Sequence, residues 1–476
     1  MDPKIIHVEK LCKDITLTFN NTHLLIQGDT DPYFKHKRAR SSRSCIPTNT
    51  TTPVQVVSIS YLHILHAMYH HQTNMIQIAT LVSEPFFIYK FMYTVKDNEQ
   101  QKAIDYCQYI MDCVYRDSIA EKKLLVLIHP FSGQKRAKAI FQESVRPLLE
   151  AAKCTLEIQY TEHQNHAFDI AKNKRDLEQW DAIVTVSGDG LIHEVINGLL
   201  QRTDHVIQKI ALAVIPAGTT NALSISMHGS KKGFDPIHCA LQIIKGRPLA
   251  LDICSVTYDD HHYYYSFLFQ YFGMAGLRTD YLRWMGDYRL VVGLLQGILS
   301  NTSYEMEASL WVIESDKTKI KASYQMSHVA EWHSLKPKQD ALPCLTEPVP
   351  EHWVTIKDSI CIFLASKVPL LSRGILSHPC AIPNDGLLDL IIVRAKQSMW
   401  KQLSALNHVN KGKHMDLDHV EYYKIKAFRL TPKIKPGQDA YVAIDGQHIP
   451  LKPFQVQVHP CLVSVLSLNP TFTPYE

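Results

Sequence analysis

Three apolar strands, each followed by a turn of small and polar residues and then by a helix, constrain the fold of this chain more than any other feature of its sequence. The runs LLVLI (124–128), AIVTV (182–186) and ALAVI (211–215) have no polar face, which is typical of strands covered on both sides in a parallel sheet. Helical stretches near 135–151, near 166–179 and from 191 alternate with them, and TLEIQY (155–160) adds a fourth strand. This alternation predicts a parallel sheet covered by helices.

The sequence on both sides of this α/β segment is rich in strands. Residues 1–118 contain short runs such as VQVVSISYLHIL and FFIYKFMYTV, which predict a small β-rich amino-terminal module. Residues 251–466 return to strand character with one helical interruption near 280–300, and they predict a second, mostly antiparallel β domain. The α/β domain then occupies 119–250, and the Pro- and Lys-containing segment at about 314–353 is predicted to be a flexible insertion.

Charge and cysteine usage exclude several classes of protein. The net charge of +4 is too small an excess to indicate a nucleic-acid partner, and the eleven cysteines include no CxxC pair or Cys/His cluster at zinc spacing. The amino terminus lacks a secretory signal, and no apolar run approaches the roughly 20 residues of a membrane-spanning helix. We therefore expect a cytoplasmic protein whose membrane contact is peripheral. The basic segment KHKRARSSRS (35–44) is either a solvated loop or a contact with anionic headgroups.

The turn SGDG at 187–190 carries the strongest chemical signal. Gly188 and Gly190 allow a tight bend and a close approach to a ligand at the carboxyl edge of the sheet, so Asp189 is displayed in a crevice. A carboxylate there suits proton abstraction from an alcohol or the positioning of magnesium between phosphates. The alternative is that Asp189 only caps the following helix. That helix is predicted to bury Leu191, Ile192, Val195, Ile196 and Leu199 and to project His193, Glu194 and Asn197 elsewhere.

The other two turns also carry groups that suit an anion. HPFSG (129–133) precedes Lys135, Arg136 and Lys138 at a helix start, where free N–H groups and the helix dipole favour negative charge, although the spacing is not that of a P-loop. PAGTTN (216–221) offers small residues and hydroxyls for contact with phosphate or ribose. Either turn alone is equally explained as ordinary strand-to-helix geometry, but three such turns on one sheet favour a ligand site.

The motifs SGDGLIHEVINGL and PAGTTNAL, in this order and separation, resemble the catalytic domain shared by diacylglycerol, ceramide and sphingosine kinases. RWMGDYR, ASKVPLLSRGILSHPCAIPNDGLLDL, NKGKHM and IDGQHIPLKPFQVQVHP resemble segments of sphingosine and fungal-type sphingoid long-chain base kinases. The resemblance spans roughly 121–465. It implies a nucleotide-binding α/β domain, a lipid-binding β-sandwich, and ATP with Mg²⁺ between them, the ion being held through ATP rather than by a cluster of side chains.

The implied reaction is ATP-dependent phosphorylation of the primary hydroxyl of a sphingoid base such as sphingosine, sphinganine or phytosphingosine. A ceramide or diacylglycerol kinase, or a catalytically weak lipid-binding paralogue, remains the alternative. The resemblance does not extend to the amino-terminal module, which we predict to be regulatory or membrane-targeting. We expect the protein at intracellular or plasma membranes, and a homodimer is compatible with these features.

The resemblance also implies roles for individual residues. Asp189 would be the catalytic base, and Ser187, Gly188 and Gly190 would line the reacting site. Nucleotide contacts would come from His129, Pro130, Phe131, Ser132, Gly133, Thr161, Glu162, His163, Gln164, Asn165, Glu194, Gly218, Thr219, Thr220, Arg283, Arg289, Asp445, Gly446 and Gln447. Gly276 stands where these enzymes carry a carboxylate for the lipid head group, so Asp280 is the predicted partner of the sphingoid amine.

Overall fold

A computed structural model describes residues 4–10, 13–20, 22–29, 56–83, 86–218, 221–258, 261–266, 268–270, 292, 295, 303–327, 342–395, 397–434, 441–445 and 447–469. The chain forms two compact units, one of residues 1–122 with 145–155 and one of residues 123–144 with 156–476. No helix within the described ranges is both long enough and apolar enough to cross a bilayer.

The first unit is an antiparallel meander covered by a helix. Its strands pair in the order β4-β3-β2-β1-β7-β6-β5. The strands that come first and last in the sequence, β1 and β7, are therefore neighbours and pair at Val8 and Val95. Alternate residues of β1 and β2 point into the core, as period-two strands require, and helix α1 packs on β5. The elements are β1 (Lys4–Lys10), β2 (Lys13–Phe19), β3 (His23–Gln27), β4 (Val56–Ser60), β5 (Ile64–His70), β6 (Met75–Ser83), β7 (Phe86–Val95) and α1 (Gln100–Val114).

The second unit contains the predicted parallel sheet. Strands β8 (Lys123–Ile128), β9 (Thr155–Tyr160), β10 (Ala182–Ser187) and β11 (Ala211–Pro216) lie in the order β9-β8-β10-β11, with β10 parallel to both β8 and β11. All six residues of β10 are buried, which explains its unbroken apolar run. The helices are α2 (Ser132–Lys135), α3 (Ala137–Ile140), a π-turn (Phe141–Val145), α4 (Arg146–Ala151), α5 (His166–Asn173), α6 (Asp189–Leu200), α7 (Ala222–Lys232) and α8 (Pro236–Lys245); α4 belongs to the first unit.

The carboxyl-terminal region of the second unit is mostly antiparallel, as predicted. A long strand, β23, pairs with β12 and β20 in antiparallel fashion and meets β11 in parallel, so it joins this region to the parallel sheet. The elements are β12 (Arg247–Tyr258), β13 (His261–Ser266), β14 (Leu268–Gln270), β15 (Tyr304–Glu314), α9 (Lys317–Ser327), β16 (Val354–Ser366), β17 (Leu370–Ser372), β18 (Ile375–Leu376), β19 (Leu388–Arg394), α10 (Met399–His408), β20 (Glu421–Lys433), β21 (Tyr441–Ile444), β22 (Gln447–Pro450) and β23 (Phe454–Ser467).

The segment predicted as a flexible insertion, about 314–353, is structured over its described parts. Its first part forms α9. Its last part is fixed by the buried guanidinium group of Arg429, which donates to the carbonyl oxygens of Cys344 at 2.9 Å and Leu345 at 3.3 Å. A buried guanidinium needs acceptors for its N–H groups, and this segment supplies them.

A cluster of buried charges holds the carboxyl-terminal region together. The ammonium group of Lys367 lies 2.9 Å from Asp252 and 2.8 Å from Asp385, and that of Lys424 lies 2.8 Å from both Asp385 and Asp389. Burial would raise the pKa of Asp385, but the two ammonium groups outweigh it and hold that pKa below its usual range. The cluster thus joins β12, β19, β20 and the turn before β19.

Candidate functional site

The turns after β10 and β11 touch through their glycines. A Cβ atom built on Gly218 would lie 2.4 Å from the Cα of Gly188, and one built on Gly188 would lie 3.3 Å from the Cα of Gly218. The main-chain N–H of Ala217 donates to the carbonyl of Ser187 at 3.0 Å, which extends the strand pairing into the turns. A side chain at 218 is therefore excluded by the backbone of the other turn, so the two turns meet main chain to main chain.

The carboxylate of Asp189 connects these two turns. It is half-buried, and its Oδ2 and Oδ1 accept main-chain N–H bonds from Ala222 at 2.9 Å and Leu223 at 3.2 Å. These donors belong to the first turn of α7, whereas α6, which begins at Asp189 itself, has no side-chain cap. Capping of its own helix, the alternative that the sequence leaves open, is not what the structure shows.

This position favours the ionised form of Asp189. The two N–H donors and the positive end of the α7 dipole both stabilise negative charge. Each of the two carboxylate oxygens accepts one of these main-chain hydrogen bonds. The geometry is that of a carboxylate fixed against the start of α7, beside the contact of Gly188 with Gly218.

The first turn lies beside the other two. Its main chain joins the sheet edge through the N–H of His129, which donates to Val186 at 3.2 Å. The hydroxyl of Ser132 donates to the carbonyl of Ala217 at 3.4 Å. The ring of His129 is 3.0 Å from the hydroxyl of buried Thr161, which links this turn to the end of β9. Pro130 is half-buried, and Phe131 is 65% exposed.

Glu194 binds the segment that follows β9. Its Oε2 accepts the main-chain N–H of Ala167 at 3.2 Å, in the first turn of α5. Asn165 precedes α5 with a left-handed φ of 64° and makes no side-chain cap, so Glu194 supplies the acceptor that this helix end needs. The side chains of Glu162, His163, Gln164 and Asn165 are exposed at this edge.

One prediction about helix α6 is wrong. His193 and Asn197, which the periodicity placed away from the buried face, are 3% and 6% exposed. The helix is covered on that side as well, because the ring of His193 lies 2.7 Å from the carboxylate of Asp445, at the end of β21. The spacing of Asp189, His193 and Asn197 at i, i+4 and i+8 is the sequence signal for a polar stripe that could have shown this face.

Several predicted site residues lie outside the described part of the chain. These are Thr219, Thr220, Asp280, Arg283, Arg289 and Gly446, together with Gly276 and the side chain of Gln447. Gly133 is in α2, and Gly190 is exposed, with open space where a side chain would begin. Among the residues that the structure describes, no group of three or more His, Cys, Asp or Glu side chains is placed to hold a metal ion.

Comparisons with known proteins match both regions of the second unit. Residues 123–256 match the diacylglycerol kinase catalytic domain, and residues 302–467 match the YegS carboxyl-terminal NAD kinase β-sandwich-like domain. Sphingoid long chain base kinase 4 of Schizosaccharomyces pombe is 32% identical over 367 residues, which cover 76% of this chain and 78% of the relative. Sphingosine kinase 1 of Rattus norvegicus is 32% identical over 355 residues, which cover 71% of this chain and 89% of the relative.

A solved structure shares the fold. A Bacillus anthracis protein assigned as a diacylglycerol kinase aligns with a TM-score of 0.51 over 74% of this chain and 99% of its own. The two sequences are 17% identical, so this likeness concerns architecture alone.

Proposed function

Because this chain belongs to the family of sphingoid long-chain base and sphingosine kinases, which are lipid kinases with a diacylglycerol kinase catalytic domain, we propose that it phosphorylates the primary hydroxyl of a sphingoid long-chain base. The observation that carries the proposal is the Asp189 carboxylate, held by two N–H groups of α7 beside the contact of Gly188 and Gly218. ATP is the phosphate donor of this family.

The site has features that fit a nucleotide. The glycine turns follow the carboxyl ends of β10 and β11, where main-chain N–H groups can meet phosphate oxygens, and the direct contact of Gly188 with Gly218 excludes a side chain at 218. We propose that Mg²⁺ enters bound to the phosphates of ATP, where it would neutralise the charge that develops during transfer.

In the proposed reaction, the lipid hydroxyl gives its proton to Asp189 while its oxygen forms a bond to the terminal phosphorus of ATP. The bond from that phosphorus to the bridging oxygen breaks, and the electron pair leaves on ADP. Asp189 must hold its orientation during this step, and its two N–H bonds supply that constraint. A base of this kind contributes about 10²–10⁴-fold to the rate.

The sphingoid substrate and the site of action go beyond what the family alone establishes. Two observations support a sphingoid base as substrate. The chain is similar to a sphingoid long chain base kinase and a sphingosine kinase, and its segments RWMGDYR, NKGKHM and IDGQHIPLKPFQ resemble segments of such enzymes. We also propose that the protein acts at a membrane surface, since its substrate is a lipid, and that the first unit is a targeting or regulatory module. The basic residues of 35–43, between β3 and β4 in the chain, suit anionic headgroups.

The decisive experiment is transfer of radiolabelled phosphate from ATP to a panel of sphinganine, sphingosine, phytosphingosine, ceramide and diacylglycerol. We expect label in the sphingoid bases and a loss of about 10²–10⁴-fold in Asp189→Asn, which keeps the size of the side chain and one of its two main-chain N–H bonds but accepts no proton. Nucleotide binding, measured as stabilisation by ATP against heat, should persist in that variant. Label confined to ceramide or diacylglycerol would establish the alternative substrate, and no transfer to any lipid would establish a non-catalytic paralogue.

A further inference from the structure

A buried pair of side chains links helix α6 to the carboxyl-terminal region. His193 Nδ1 lies 2.7 Å from Asp445 Oδ2, and the two side chains are 4% and 3% exposed. The residues are 252 positions apart in the chain. A buried carboxylate costs free energy unless it is paired or hydrogen-bonded, so this contact constrains both elements.

The position of Asp445 in its turn adds to that constraint. Ile444 pairs with Gln447, so β21 and β22 are joined by the two residues Asp445 and Gly446. Two-residue hairpin connections favour residues with positive φ, and Asp445 has φ 46°. The turn thus fixes the main chain of Asp445, and His193 fixes its carboxylate.

Helix α6 binds a different element with each of three polar side chains. Asp189 holds the start of α7, Glu194 holds the start of α5, and His193 holds the β21–β22 turn. His193 lies one helical turn after Asp189, so the two side chains project from the same side of α6. A shift of the β21–β22 turn relative to α6 would therefore break the contact of His193 while leaving Asp189 in place.

We propose that His193 is a positioning residue. Its hydrogen bond to Asp445, here called the clasp, holds the β21–β22 turn where that turn contributes to nucleotide binding. This inference rests on the proposed function, since it takes the glycine turns beside Asp189 as the place where the phosphates lie. His193 acts through Asp445 and does not exchange a proton with the lipid. Its loss should therefore weaken ATP binding more than it slows the chemical step.

Because the hydrogen bond to Asp445 uses Nδ1, three substitutions of His193 distinguish the effect of this hydrogen bond from that of side-chain packing. Asn carries its N–H donor at nearly the same distance from the main chain as Nδ1 of His, whereas the donor of Gln lies one bond further out. Leu fills space without a donor, so Asp445 stays buried and loses its hydrogen bond to His193. If the clasp sets the affinity for ATP, that affinity should decrease in the order wild type, His193→Asn, His193→Gln, His193→Leu.

The test measures kcat and the KM for ATP and for a sphingoid base, together with thermal stabilisation by ATP. We expect His193→Leu to raise the KM for ATP about tenfold or more, with a smaller change in kcat and an unchanged KM for the lipid. His193→Asn should recover most of the affinity. A control that removes another buried ring is His66→Leu in the first unit, where a ring that is 8% exposed lies 2.8 Å from Glu121, whose side chain is 56% exposed. This variant should leave the KM for ATP unchanged.

The proposal is overturned if His193→Leu changes kcat and both KM values equally, or if Gln restores ATP affinity as well as Asn does. If His193→Leu does not fold, the comparison of Asn with Gln decides by itself. Stabilisation by ATP against heat needs no lipid, so it tests the clasp even if no lipid is phosphorylated. Failure of the clasp and failure of the proposed reaction are therefore separate results.

Discussion

Replacement of Lys367 by Met tests how far the carboxyl-terminal region depends on buried charge. Lys367 is fully buried between Asp252 and Asp385, at 2.9 and 2.8 Å. Met fills a similar volume but removes the ammonium group, so three buried aspartates are left with one lysine, Lys424. Removing one partner of a buried ion pair costs about 3–5 kcal/mol, because the other charge stays desolvated.

The other partners of the carboxylates place the loss at the lower end of this range. Asp252 keeps main-chain N–H bonds from Gly386 at 2.7 Å and Cys461 at 2.9 Å. Asp385 keeps Lys424 at 2.8 Å. With about 3 kcal/mol lost, and roughly 2–4 °C per kcal/mol for a large domain, the unfolding temperature should fall by about 6–12 °C.

Thermal unfolding followed by circular dichroism measures the effect. The matched control is Lys357→Met, since Lys357 is 69% exposed and lies 3.1 Å from Glu307, and such surface pairs contribute about 0–1 kcal/mol. An unfolding temperature for Lys367→Met that equals that of Lys357→Met would refute the reasoning.

The pH dependence of the variant has a defined sign. In the wild type, the two ammonium groups hold the pKa of Asp385 low, so its stabilising contribution is present above the unfolded value and is lost only in acid. Without Lys367 the pKa of this carboxyl rises, and the folded variant takes up a proton before the unfolded chain does. The stability deficit of Lys367→Met should therefore shrink as the pH is lowered from about 7 to about 5.

The contact between the glycine turns and the low pKa of two histidines give two further predictions. In Gly218→Ala the new methyl group would lie 2.4 Å from the Cα of Gly188, so we expect about 2 kcal/mol or more of destabilisation. Gly190→Ala, with open space at that point, should keep the wild-type unfolding temperature. Equal unfolding temperatures for the two variants would contradict this prediction. Burial lowers the pKa of both His228 and His378 to about 3, so both rings stay neutral in the folded protein. Both rings protonate in the unfolded chain below about pH 6.5, so roughly 2 kcal/mol of stability per ring is lost at pH 5. Urea unfolding at pH 7 and pH 5 measures this loss, and equal midpoints would rule it out.

The strands of the parallel sheet were predictable because burial on both faces produces unbroken apolar runs. The runs at 124–128, 182–186 and 211–215 fall inside β8, β10 and β11, which each extend them by one residue. The bend at Gly188 was also predicted from its glycines, although the predicted neighbour was a ligand, whereas the structure shows the backbone of Gly218 there. These features are encoded locally, within a strand and the turn that follows it.

The partners of the site residues could not be predicted from the sequence, because they depend on tertiary contacts. Periodicity gave α6 one buried face, but Asp445, from the far end of the chain, buries the side that carries His193. Similarly, the buried aspartates and lysines near Lys367 each resemble an ordinary surface charge when read singly. Only the pairing of distant strands shows that they neutralise one another.

The placement of Asp189 follows from two opposing constraints on the same pair of turns. The turns cannot approach further, because Gly188 and Gly218 are already in contact, and they cannot separate without breaking the N–H bonds from Ala222 and Leu223 to Asp189. In the proposed reaction, a carboxylate fixed in this way would need little reorganisation when the lipid hydroxyl gives up its proton, which is the condition for efficient general-base catalysis. Two main-chain groups thus contribute to the orientation of the proposed base, so substitutions that move the backbone of either turn should slow phosphate transfer even where every side chain of the site is kept.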